Sequence, residues 1–215
     1  MESLAIYRFK RGLWWSCLFL CLLSWVILLT FCSTWLYRLD VHALKILKDV
    51  PMTVPRLMHN YHQMISYVLF PWVQHLQMSD FPSSYAGAQH FADVKQLVLV
   101  NNLVLLVTTP LSIYFLRQLR RQKLLWQLQR PVTVMAAIPF GLLLLLLANF
   151  QTFFTDFHQI LFRNQDWLFD PATDPIIIVL PETFFMHCFI LAIFLFEGCL
   201  LVAWLIGRHA LNQIK

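Results

Sequence analysis

His90, Asp93 and Lys95 stand together in HFADVK, and His158 opens the stretch HQILFRNQDWLFDPATDPIIIVLPETFF. Imidazole is the side chain whose ordinary pKa lets it take up and return a proton near neutral pH. Two of them with carboxylates nearby suit general acid–base work. His90 and Asp93 are three residues apart, so on a helix they share a face. A carboxylate so placed can hold an imidazole in one tautomer and stabilise its protonated form. The second stretch adds Asn164, Trp167, Asp170, Asp174 and Glu182.

Each of these also has a structural use. Asp170-Pro171 and Asp174-Pro175 are turn or N-cap signals, in which an acid accepts backbone N–H bonds. Pro181 and Glu182 suit the first turn of a helix, where proline loses no bond and an acid complements the dipole. Asn164 is expected to end the helix that carries His158. Trp167 and Phe169 fit interfacial anchors. His187, one turn into an apolar helix, needs a polar partner there.

The elements that must position these groups are membrane helices. The chain has 215 residues, 59% hydrophobic and 13% charged. Soluble domains carry about 25% charged residues. Four apolar runs, 13–35, 96–116, 131–150 and 184–206, are each long enough for one helical crossing of a bilayer. The expected fold is all-α and membrane-integral: one polytopic domain over 1–215 with four transmembrane helices. The first run follows Arg8, Lys10 and Arg11. It is too long for a signal-peptide core and has no small-residue cleavage site near its end, so it reads as a retained anchor. None of the cysteines falls in an outer loop, which argues against an extracytoplasmic disulfide framework.

Basic residues set the orientation. One side gathers Arg8, Lys10, Arg11, Arg117, Arg120, Arg121, Lys123, Arg130, Arg208 and Lys215, opposed only by Glu2. The other holds an excess of acids, Asp49 among them. The basic side is expected to be cytoplasmic, with both termini facing in. Topology and anionic lipid explain its charge better than nucleic acid does. The outer loops are then 36–95 and 151–183. In the first, Met58, Tyr61, Ile65, Val68, Trp72 and Leu76 recur at helical spacing across Pro71, which predicts an apolar helix face lying in the interface or capping the bundle. SDFPSSYAG, from Ser79, reads as turns. His90 and His158 fall just outside the second and third spans. At 1.5 Å per helical residue both would stand roughly 9–12 Å beyond the hydrocarbon edge, at matched height on antiparallel neighbours. Glu197 is the isolated charge within a span, with Asn101, Asn102 or Asn149 as candidate partners.

On these two motifs and this topology, the chain resembles the lipoprotein intramolecular transacylase family. The resemblance covers essentially the whole chain. It implies transfer of the sn-2 acyl chain of a diacylglyceryl-cysteine lipoprotein to the α-amino group of the same cysteine, giving a lyso-form lipoprotein. It implies a Gram-positive cell membrane as the setting, with the active site facing outward. It makes His90 and His158 the catalytic pair. Asp93, Lys95, Asn164, Trp167, Asp170, Asp174 and Glu182 stand as supporting residues, and no cofactor or metal is expected. The residues themselves leave two other classes open. His90, Asp93 and His158 would make three ligands of a metal-dependent interfacial hydrolase, although HxxD is a weak signal and HExxH is absent. A non-enzymatic lipid-binding accessory protein is the third. Replacing His90 or His158 singly by alanine is expected to abolish lyso-lipoprotein formation, read by mass spectrometry of the N-terminal lipopeptide. Full retention of product in both variants would remove the assignment.

Overall fold

Every regular element among the described residues is a helix. The computed structural model describes residues 4–48 and 50–213. Glu2, Asp49 and Lys215, which entered the charge balance, lie outside the described residues. The elements are α1 (Leu4–Cys32), α2 (Thr34–Ala43), α3 (Val54–Leu69), α4 (Tyr85–Arg121), α5 (Gln129–Ala148), α6 (Phe150–Leu161), the single turn α7 (Ile176–Val179) and α8 (Glu182–Asn212). Four helical stretches, Arg8–Cys32, Tyr85–Arg121, Leu125–Ala148 and Glu182–Asn212, are long and apolar enough to cross a membrane. Helix is the form such segments must take, because hydrocarbon offers no partner to a free backbone N–H or C=O.

Helix boundaries depart from the apolar runs in ways that matter for the site. The expected turn at Ser79–Gly87 is shorter, because Tyr85, Ala86 and Gly87 already belong to α4. Ser84 is the cap: its Oγ accepts the Gly87 N–H at 3.0 Å. His90 therefore sits on a helix continuous with the second apolar run. The third run behaves differently. It breaks at Asn149, whose extended backbone (φ −159°, ψ 95°) and side chain cap the new helix α6 through the Thr152 N–H. His158 thus rides on a short separate helix. Asn164 lies beyond its end, since Phe162 is already extended. In the first outer segment α3 stops at Leu69, with Phe70 extended before Pro71, as the ring of a proline requires of its predecessor. Trp72 falls past that stop and is 73% exposed.

Contacts divide the chain into two units. One comprises Met1–Leu28, Asn101–Leu144 and Leu191–Lys215. Its apolar centre is Val26, Val132, Phe196 and Leu200. Asn101 Nδ2 donates to the Ser24 carbonyl at 3.2 Å, and Arg11 donates to Gln127 Oε1 at 3.0 Å. Asn102 Oδ1 and Glu197 Oε1 are buried without a hydrogen-bond partner among the described residues. The expected pairing of Glu197 through that oxygen is therefore not made.

The other unit comprises Leu29–Val100 and Leu145–Ile190 and contains both histidine motifs. Its core is built on Tyr37, Leu57, Tyr61, Ile176, Val179 and Phe184. Tyr37 stacks on Tyr61 at 4.0 Å and donates its hydroxyl to the Val179 carbonyl at 2.8 Å. His187 finds its partner in Asp40, with Nδ1 2.9 Å from both carboxylate oxygens. Asp80 is clasped by Arg56 and by Asn60 Nδ2, the latter at 2.7 Å, which fastens the segment before α4 to α3.

One close approach fixes where α4 begins. Asp174 is buried, and its Oδ1 accepts the Ser84 N–H at 2.8 Å while its Oδ2 accepts the Thr173 hydroxyl at 2.9 Å. A Cβ on Gly87 would lie 2.1 Å from that Oδ1 and 2.9 Å from Asp174 Cγ. Only glycine lets the carboxylate come this near the helix start. Gly87→Ala is expected to push Asp174 off the cap and to destabilise the fold by about 1–3 kcal/mol, read as a lower thermal-denaturation midpoint in detergent. An unchanged midpoint would mean that the carboxylate retreats without loss.

Candidate active site

His158 is held by its own helix. Its Nδ1 lies 2.8 Å from the Phe154 carbonyl oxygen, one turn back. A carbonyl only accepts, so Nδ1 carries the proton and donates it. In the neutral ring Nε2 is then left with the free lone pair, the form a general base requires. Phe154 packs its ring 4.1 Å from the imidazole on one side, and the Trp167 indole lies 4.9 Å away at 31°. The Trp167 N–H donates to the Asn164 carbonyl at 3.1 Å, which sets the indole's place. Burial pushes the His158 pKa below the ordinary imidazole value, against a smaller upward pull from the Phe154 carbonyl. His158 is therefore neutral at physiological pH and ready to accept.

His90 comes to it from α4. The two rings have centroids 5.8 Å apart, tilted at 38°. Phe162, Phe169 and Phe91 surround His90 at 4.8, 5.5 and 6.1 Å. Its Nδ1 is buried with no hydrogen-bond partner among the described residues. A buried polar atom without a partner is costly and calls for a reason, such as a bond made only when substrate is present. Two imidazoles this close also disfavour carrying a proton each. Together they can hold one proton between an acceptor nitrogen on His158 and an open valence on His90.

Asp93 does not orient an imidazole, as its spacing from His90 suggested. Its Oδ1 accepts from Gln89 Nε2 at 3.0 Å and its Oδ2 from Asn164 Nδ2 at 2.9 Å. The carboxylate instead ties α4 to the segment that follows α6, and so couples the two histidines' supports. Lys95 is committed elsewhere: its ammonium donates to the Val73 carbonyl and lies 4.3 Å over the Tyr67 ring. Asp170 closes a local turn by accepting the Ala172 N–H at 2.9 Å. Asp174 caps α4, as described above. Glu182 is exposed in the first turn of α8, where it complements the helix dipole. Among the described residues, no three His, Cys, Asp or Glu side chains are grouped to hold a metal ion, so the three-ligand arrangement of His90, Asp93 and His158 has no geometry behind it.

Sequence reasoning passed over Gln89 and the Phe154 carbonyl. Both were findable, because each lies four residues before its partner on a helix, the spacing that brings groups face to face. Phe162 and Phe169 carried no comparable signal. They lie outside regular helix, so only the folded chain shows that they wall His90.

A family model described as "Lipoprotein intramolecular transacylase Lit" matches residues 13–185. Among solved structures, the membrane-integral lipoprotein intramolecular transacylase Lit from Bacillus cereus superposes with a TM-score of 0.91 at 25% identity, covering 97% of each chain. Two structures of that protein with a single histidine replaced also match. The histidine-to-arginine form has a TM-score of 0.79 at 26% identity over 99% of this chain and 96% of the other. The histidine-to-alanine form has 0.82 at 25% over 99% and 98%. No curated protein sequence matches.

The anchoring of His158 has a direct signature. Nitrogen-15 spectra of the labelled protein are expected to show this imidazole as the Nδ1–H tautomer, titrating below the ordinary value of about 6.5. An Nε2–H tautomer, or a normal titration, would contradict the Phe154 bond and the burial.

Proposed function

The chain belongs to the lipoprotein intramolecular transacylase family, Lit, and is a multi-pass membrane acyltransferase with a lipoprotein substrate; from that premise we propose that it moves the sn-2 acyl chain of a diacylglyceryl-cysteine lipoprotein to the α-amino group of the same cysteine. The product is the N-acyl, lyso-form lipoprotein. The basic helix ends and both termini face the cytoplasm, and the histidine pair faces outward. The observation that carries this reading is the approach of His90 to His158, with the His158 Nδ1–H already occupied by Phe154.

The reaction is an ester aminolysis. An α-amino group has a pKa of about 7.7–8.0, so freeing its lone pair is cheap. The nitrogen attacks the sn-2 carbonyl carbon, the C–N bond forms, and the carbonyl oxygen takes up the negative charge. His158 Nε2 removes the surplus proton from nitrogen. His90 faces the oxyanion and the departing glycerol oxygen. Collapse breaks the C–O bond, and the imidazolium returns the proton to that oxygen, leaving an amide and a free hydroxyl. Amine and ester belong to one molecule, so holding them in a near-attack geometry supplies much of the acceleration, up to roughly 7–11 kcal/mol. Proton transfer by a placed imidazole contributes a further factor of about 10²–10⁴.

Trp167 has a part in this sequence that burial alone does not give. The indole beside His158 attracts a cation through its ring quadrupole, an interaction worth about 0.5–2 kcal/mol. It therefore favours the transient imidazolium over the neutral ring. Asn164 and Asp93 act through position, by keeping the two helices' supports together.

Two measurements test the reading. Expression in a host that lacks N-acylated lipoproteins should yield the rearranged acyl group on the N-terminal cysteine. Its absence, with the protein inserted and intact, would overturn the proposal. Trp167→Leu is expected to lower kcat by roughly 2- to 30-fold and to depress the His158 pKa further, while Trp167→Phe recovers most of both. A rate lost equally in both variants would assign Trp167 to packing instead.

A further inference from the structure

The unit built from the helix ends 117–121, 129–133 and 204–208 is basic and has almost no acid of its own. Arg8, Lys10, Arg11, Arg117, Arg120, Arg121, Lys123, Arg130 and Arg208 belong to it, and its acid among the described residues is Glu197, inside α8. That excess of positive charge attracts anions, and at one place an exposed arginine borders an opening on the surface. A shallow surface cavity, wide open to the outside, is lined by Gln129, Arg130, Thr133, Val134 and Trp204. Gly207 lets α8 close on the start of α5, since a Cβ there would meet Gln129 Cγ at 3.1 Å and Leu128 Cβ at 3.2 Å. Arg208, which is not part of that lining, lies over the ring of Trp204, which is, at 5.1 Å. Arg130 is exposed and makes no ion pair or side-chain hydrogen bond among the described residues.

We propose that this cavity binds an anionic glycerophospholipid, with the headgroup phosphate between Arg130 and Arg208 and an acyl chain against Val134 and Trp204. The lining explains both halves of the ligand. A guanidinium presents a planar fork of donors that matches phosphate oxygens in pairs. An apolar wall continuing from that fork suits a chain, not a free ion. The lining residues belong to the unit that does not contain the histidine pair.

The test uses the full-length protein in detergent, titrated with phosphatidylglycerol, phosphatidylcholine or inorganic phosphate and read by native mass spectrometry. Wild type should retain phosphatidylglycerol in preference to phosphatidylcholine. The double variant Arg130→Gln, Arg208→Gln should weaken that retention roughly 30-fold, about fivefold for each basic residue near an anionic headgroup. Arg120→Gln with Arg121→Gln removes the same charge outside the cavity and should leave retention near wild type. Equal binding of the two lipids would overturn the proposal. So would equal weakening in both double variants, which marks diffuse attraction, or competition by millimolar phosphate alone, which marks a free-ion site.

Discussion

Backbone hydrogen bonds in an apolar solvent must be satisfied by the chain itself, and the rest of this structure follows from where that rule is relaxed. α4 runs from Tyr85 to Arg121, so the His90 motif and the second apolar run share one helix. The chain stops and restarts helix at Ser33 and Asn149. The break at Asn149 carries its own cap, since the Asn149 side chain accepts the Thr152 N–H. Because of that break, His158 stands on a helix of its own, α6.

Once α6 is separate, the site is assembled by short-range bonds. The Phe154 carbonyl fixes which nitrogen of His158 is protonated. The Asn164 side chain reaches Asp93 on α4, and the Asn164 carbonyl receives the Trp167 N–H. The same residue therefore ties the two histidine-bearing segments together and holds the indole beside the imidazole. Aromatic rings supply the remainder of the wall. Among them His90 Nδ1 is buried without a hydrogen-bond partner among the described residues.

The acids of the second motif divide by task. Asp174 and Asp170 serve the backbone, one capping α4 and the other closing a turn. Asp93 serves the site, but through amides and not through an imidazole. Carboxylates are cheap caps because a free N–H group is a ready donor to a charged acceptor. The dense polar stretch from Asn164 to Glu182 is thus mostly the scaffold's own accounting of open backbone groups at the start of α4 and α8. The proposed chemistry draws from this stretch on Trp167, beside His158, with Asn164 holding the indole in place.

Much of this was readable in the residues. The four apolar runs were visible because hydrocarbon thickness sets their length, and the two histidine motifs stood out because polar groups are expensive beside such runs. The need of His187 for a partner followed from the same cost, though not that Asp40 would meet it. What the sequence left open was anything that depends on direction. Local spacing put His90 and Asp93 on one face, yet the carboxylate turned to Gln89 and Asn164, because side chains from a distant segment compete for its oxygens. Lys95 had the same freedom and took the Val73 carbonyl and the Tyr67 ring. The break at Asn149, the 5.8 Å approach of the two imidazoles and the phenylalanine wall around His90 are facts of tertiary packing. Each depends on which surfaces meet once the helices are in place, and residue order does not encode that in any local pattern.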